Sequence, residues 1–259
     1  MSKAIVAIRY TSINDKTAAQ ALAEKLNLPV IENLHKSEGF DYILDFTPQG
    51  LQLTCCKKSY KPIFINFTDP SLHYRLSRAS KHSELLAKAI GIKKSSSLRV
   101  LDTTAGLGQD SILMAALGCK VHLLERSAII AALLQDALER ARLADISYAK
   151  AMTLSVTDAI QFMQTQKQLS FDVVYLDPMY PDLKQTAAVK KEMQILRDIV
   201  GTDQDVETLF SSALSYAQQR VVVKRPRLAP FLLNKTPDIC FKGASSRFDV
   251  YLIQRKIIC

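Results

Sequence analysis

The chain has 259 residues, 48% of them apolar and 23% charged, with 8 Gly and no Trp. That is the composition of an ordinary globular protein and excludes fibrous and disordered classes. The net charge of +9 favours a polyanionic partner.

The longest purely apolar run is Ala128 to Leu134, far short of the roughly twenty residues a membrane span needs. The apolar stretch at the N-terminus is also too short for a signal peptide. A cytoplasmic protein without membrane contact is therefore expected. Five Cys at irregular spacing and four scattered His show no zinc or redox pattern, so no metal site is expected.

Residues 1–70 read as a small α+β accessory domain. Ala4–Ile8 is a short apolar strand, and 17–26 repeats apolar residues at helical spacing. Strand-like runs follow at Pro29–Ile31, Tyr42–Phe46, Leu51–Thr54 and Pro62–Asn66, punctuated by turns. Residues 72–90 read as one basic helix ending at Gly91, with 93–97 as a linker.

From Leu98 strands and helices alternate, which predicts a Rossmann-like α/β domain over 71–259 with a mostly parallel sheet. The expected order is strand 98–102, helix 109–117, strand 121–124, helix 128–143 capped by Ser127, strand 151–155, helix 158–166 and strand 171–176. Helices 185–199 and 205–218, strand 220–224 and two closing runs at 237–242 and 247–254 complete it. The last two suggest an antiparallel C-terminal edge.

Basic residues concentrate in two flanks. Residues 57–94 hold nine Lys/Arg against two acids, and 220–259 hold nine against two. Such flanks suit a face that meets phosphates, or they are solubilising charge.

Two loops carry the chemistry. After strand 98–102 comes Asp102-Thr-Thr-Ala-Gly106-Leu-Gly108-Gln109-Asp110. In a doubly wound sheet, ligands bind beyond the carboxyl ends of the strands. Gly106 and Gly108 allow a tight turn and close approach to a ligand. Asp102 can accept from a cofactor ammonium or an ordered water. A dinucleotide would place its pyrophosphate at the helix N-terminus, where Asp110 would repel it. S-adenosylmethionine, with a sulfonium and an ammonium, suits that carboxylate better. Glu125, at the end of the next strand, can accept from both ribose hydroxyls, and Arg126 can pack along the adenine or anchor Glu125. Asp158, with Thr157, either holds the adenine amine or caps the following helix.

The second loop is Asp177-Pro178-Met179-Tyr180. An exocyclic base amine is a poor nucleophile because its lone pair is delocalised into the ring. Acceptors at Asp177 and the Pro178 carbonyl can draw the nitrogen toward tetrahedral geometry, while Tyr180 can stack on the base. Asp177, Pro178 and Tyr180 are the catalytic candidates.

These segments resemble the bacterial small-subunit ribosomal RNA guanine-N2 methyltransferases, the family named for guanine 1516 of 16S rRNA. The likeness rests on Asp102 to Asp110, on Leu124-Glu-Arg126, and on Val174-Tyr-Leu-Asp-Pro-Met-Tyr-Pro181, where Met179 is typical of the family. The segment Tyr74 to Glu84 departs from the family pattern in lacking its glycines. The resemblance implies that Gln109, Asp110, Glu125, Arg126, Thr157, Asp158 and Asp177 bind S-adenosylmethionine or line its site. It implies 16S rRNA or the small ribosomal subunit as partner and N2 of a guanine as target. Three other readings stay open: adenine-N6 methylation of RNA or DNA, a non-catalytic rRNA-binding protein that retains a cofactor fold, and, weakest, a dinucleotide-dependent oxidoreductase.

Overall fold

A computed structural model describes residues 4–32, 39–80, 84–92, 97–166, 171–179, 187–201 and 205–254, with the backbone alone for 187–193. Its first sheet is built from β1 (Val6–Tyr10), β2 (Val30–Ile31), β3 (Tyr42–Thr47) and β4 (Gly50–Cys55), in the order β2-β1-β3-β4. Helix α1 (Lys16–Leu26) connects β1 to β2 and ends at Asn27 in the left-handed conformation. The first three strands are parallel, and β4 returns antiparallel to β3.

The strand expected at Pro62–Asn66 does not form. Only an isolated bridge joins Ile63 to Leu53. Pro62 has no N–H to extend a ladder, and the Ile65 carbonyl accepts from Arg140 Nη2 at 2.5 Å. The run instead buries Ile63, Ile65 and Phe67 in alternation.

The single helix expected over 72–90 is two helices, α2 (Pro70–Arg78) and α3 (Leu85–Ile90). Asp69 caps α2 by accepting from the N–H groups of Ser71 and Leu72. Ala79 is already extended, at φ −64° and ψ 132°. Both halves pack on the helix after the glycine loop, and α3 also reaches the C-terminal strands.

The second sheet follows the expected alternation. Its elements are β5 (Arg99–Asp102), α4 (Gln109–Ala116), β6 (Lys120–Glu125), α5 (Ala128–Leu143), β7 (Met152–Val156), α6 (Ala159–Thr165) and β8 (Val173–Leu176). After them come α7 (Ala187–Val200), α8 (Val206–Tyr216), β9 (Arg220–Pro226), β10 (Ile239–Lys242) and β11 (Ser246–Leu252). Strand order is β10-β11-β9-β8-β5-β6-β7. The five strands from β9 to β7 are parallel. β11 runs antiparallel to both neighbours and lies inside the edge strand β10.

Every residue of β8 is buried, as a strand with helices on both faces requires. One apolar cluster joins Ile8 and Leu44 of the first sheet to Phe67, Leu134 and Val100. The other face of the second sheet packs Val174, Leu176 and Val223 against Phe210 and Tyr251. The chain leaves β5 toward β6 and β7, and leaves β8 toward β9. The order therefore reverses between β5 and β8, which places a crevice at their carboxyl ends.

Candidate active site

Asp102 closes β5, and its carboxylate folds back on its own loop. Oδ1 accepts from the Thr104 N–H at 3.1 Å, and Oδ2 accepts from Ser111 Oγ at 2.5 Å. Burial raises its pKa from 3.8 to about 7, against the lowering pull of those two donors.

The two glycines of the loop have different jobs. Both have positive φ, 51° for Gly106 and 72° for Gly108. A Cβ on Gly106 would meet nothing nearer than the Thr104 carbonyl at 3.9 Å, so the space beside it is open. A Cβ on Gly108 would stand 2.9 Å from Leu134 Cδ1 and 3.0 Å from Phe67 Cζ. The close approach expected of both glycines toward a ligand is made by Gly108 toward protein instead, and Gly108 does not line the cavity.

Glu125 closes β6. Its Oε2 accepts from the Gly106 N–H at 3.0 Å and its Oε1 from the Ser127 N–H at 2.7 Å. This carboxylate therefore braces the glycine loop as well as facing the cavity. Arg126 pairs with Asp205 at 3.3 Å, ahead of α8. The Thr157 N–H donates to the Glu125 carbonyl. Asp158 caps α6 through the Gln161 N–H at 2.9 Å, and both Thr157 and Asp158 also line the cavity.

Asp177 follows β8. Its N–H donates to Thr104 Oγ1 at 2.6 Å, which fastens the second loop to the first. Its Oδ2 accepts from Lys224 Nζ at 2.9 Å. The same ammonium lies 2.8 Å from Asp110 Oδ2, which also accepts from the Tyr175 hydroxyl at 2.5 Å. Burial alone would lower the Lys224 pKa. The carboxylates of Asp177 and Asp110 outweigh it and hold the lysine above its ordinary value. Burial and then Asp110 push the Tyr175 hydroxyl well up, so it stays protonated and donates.

These groups enclose a cavity of about 690 Å³, within the usual range for a cofactor-sized ligand. Asp102, Gly106, Gln109, Asp110, Glu125, Arg126, Thr157, Asp158, Asp177 and Pro178 all line it. Tyr180 lies outside the described residues. Among those described, six acids line the cavity against Arg126, Lys224 and Arg225. Each of these three cations is already bound to a protein oxygen. The surplus of carboxylate beside an open glycine wall fits a cationic, nucleoside-bearing ligand such as S-adenosylmethionine.

Sequence reasoning missed Lys224, Tyr175 and Thr104. It pooled Lys224 with the basic flank, although a charged residue directly after the apolar run Val221-Val-Val223 resembles the pattern of Asp102, Glu125 and Asp177. The flank itself needs correcting. Arg225 and Arg247 are each 5% exposed. Arg247 is paired with Asp249 at 2.9 Å, and Arg225 donates to the Pro230 carbonyl at 2.5 Å. Neither faces solvent as a phosphate contact.

A family model described as putative SAM-dependent methyltransferase matches residues 22–253. The protein of Coxiella burnetii named ribosomal RNA small subunit methyltransferase J is 40% identical over 250 residues, 96% of this chain and 97% of its own length. That of the same name in Thioalkalivibrio sulfidiphilus is 43% identical over 256 residues, 97% and 99% of the two lengths. The chain belongs to this methyltransferase J family. A solved member of the wider class, a SAM-dependent methyltransferase from Neisseria gonorrhoeae, superposes with a TM-score of 0.72 at 31% identity, covering 95% of this chain and 96% of its own. As a family member the chain is an S-adenosylmethionine-dependent methyltransferase with a Rossmann-like fold.

Proposed function

We propose that the enzyme methylates the exocyclic N2 of a guanine in 16S rRNA of the small ribosomal subunit, the base being guanine 1516 by family likeness. The observation that carries this reading is Asp177 at the cavity wall, its backbone N–H fastened to Thr104 and its carboxylate held by Lys224, on a chain similar over nearly its whole length to proteins named for small-subunit rRNA methylation.

Bound S-adenosylmethionine supplies an electrophilic methyl group. Asp102, Gly106, Gln109, Asp110, Glu125, Arg126, Thr157 and Asp158 form the wall that holds it; Gly108 sets the turn from behind. Asp177 and the Pro178 carbonyl accept the N–H groups of the target amine and free its lone pair. Attack is an in-line displacement, so positioning supplies much of the rate. The methylated nitrogen is strongly acidic, and Asp177 is placed to take its proton. Tyr180 is assigned the stacking role on the guanine. The N-terminal unit, residues 1–70, serves as an accessory domain that braces the glycine loop through Phe67.

Mass spectrometry of digested 16S rRNA from cells lacking the protein tests the target. Loss of N2-methylguanosine supports the reading, and loss of N6-methyladenosine overturns it. Unchanged rRNA overturns it as well.

A further inference from the structure

Arg225, Pro226, Ser245 and Ser246 line the cavity; the segment 227–235 follows Pro226 directly and is tied to that wall by the Arg227 N–H, which donates to the Ser245 carbonyl at 3.0 Å. Here the protein displays apolar side chains to water on a braced loop. Leu228 is 91% exposed, Leu233 46% and Phe231 37%. Three buried side chains of the sheet fix the loop from beneath through its carbonyls. Arg225 Nη2 donates to Pro230 O at 2.5 Å, Arg247 Nη1 to Arg227 O at 2.7 Å, and the Tyr251 hydroxyl to Lys235 O at 3.1 Å. Leu232 is buried as an apolar anchor. Leu233 and Asn234 stand in the left-handed region, with φ of 49° and 52°, which L-residues adopt there only under constraint. The Phe231 ring lies against the Arg247 guanidinium, 4.8 Å from its centroid.

The same loop exposes Arg227 and Lys235, and no acid occurs from Lys224 to Pro237. Rigid apolar groups flanked by cations match an unstacked nucleotide, which offers a π-face and two phosphates. An enzyme acting on a base must take that base out of its stack. The base next to it then loses a stacking partner at the mouth of the cavity.

We propose that segment 227–235 is the docking surface for the rRNA nucleotide adjacent to the methylated one. Leu228 and Phe231 cover its exposed face, and Arg227 and Lys235 meet its flanking phosphates. This rests on the rRNA reading above.

The test compares wild type, the double variant Leu228→Ser/Phe231→Ser, and Phe231→Tyr. The substrate is small ribosomal subunits from cells lacking the enzyme. KM and kcat are measured with the subunits, together with S-adenosylmethionine affinity by calorimetry and thermal stability. The double variant is expected to raise KM for subunits by about tenfold or more, with cofactor affinity and melting temperature unchanged, while Phe231→Tyr behaves as wild type. Wild-type KM and kcat in the double variant would overturn the docking surface alone. Loss of cofactor affinity or melting temperature would show that these side chains serve the fold, and would overturn it too. Wild-type enzyme that methylates no subunit would overturn the rRNA reading and the docking surface with it.

Discussion

Lys224 Nζ lies 2.9 Å from Asp177 Oδ2 and ties β9 to the loop after β8. Because the same ammonium holds Asp110 at 2.8 Å, Lys224→Met leaves two carboxylates facing each other across the cavity. Turnover is expected to fall by about a hundredfold. Lost charge-assisted hydrogen bonds are expected to cost about 1.5–3 kcal/mol of stability. Methylation assays and thermal melting check both, and a variant with wild-type turnover removes Lys224 from the machinery.

Asp177→Ala removes the acceptor aimed at the target amine. The expected loss in kcat is about a hundredfold or more, with S-adenosylmethionine binding, read by calorimetry, far less affected. Undiminished methylation would take the catalytic role away from this carboxylate.

Gly108→Ala introduces a Cβ at φ 72° against Leu134 and Phe67. Strain and overpacking together are expected to cost about 1–3 kcal/mol and to weaken cofactor binding by displacing the loop. Adding Phe67→Ala makes room and should recover part of the loss, so a double-mutant cycle read by denaturant unfolding gives a non-additive result. Simple additivity would show that Phe67 does not press on this loop.

Asp102 gives the cofactor-free protein a pH signature. Its folded pKa of about 7 lies above the ordinary 3.8, so the folded state binds this proton more tightly than the unfolded chain. The associated stability is fully present below about pH 4 and is lost as pH rises through about 7, up to about 4 kcal/mol. Asp102→Asn should flatten the melting temperature across that window. An unchanged profile would assign the pH dependence to other groups.

If basic side chains hold RNA phosphates, subunit affinity falls steeply as salt rises. Binding measured at several salt concentrations checks this, and a flat profile counts against a phosphate-contacting face.

Local pattern made much of the molecule legible. Apolar strand runs alternating with helical spacing gave the parallel sheet, and Ser127 marked the start of α5, whose Oγ accepts from the Ile130 N–H. Both chemistry loops were visible because glycine after a buried strand, and Asp177-Pro178 after another, are signals within a few residues. Tertiary structure decided what those loops are tied to. Lys224 reaches Asp110 from 114 residues away and Asp177 from 47, a meeting that exists only because β9 pairs beside β8. Arg247 looked like a free cation until the sheet buried it against Asp249. The helix over 72–90 ends at Arg78 because Ala79 turns extended, and the second half then reaches the C-terminal strands as well as α4. Periodicity is set by neighbours along the chain, whereas charge pairing and burial are set by neighbours in space, and only the folded sheet specifies those.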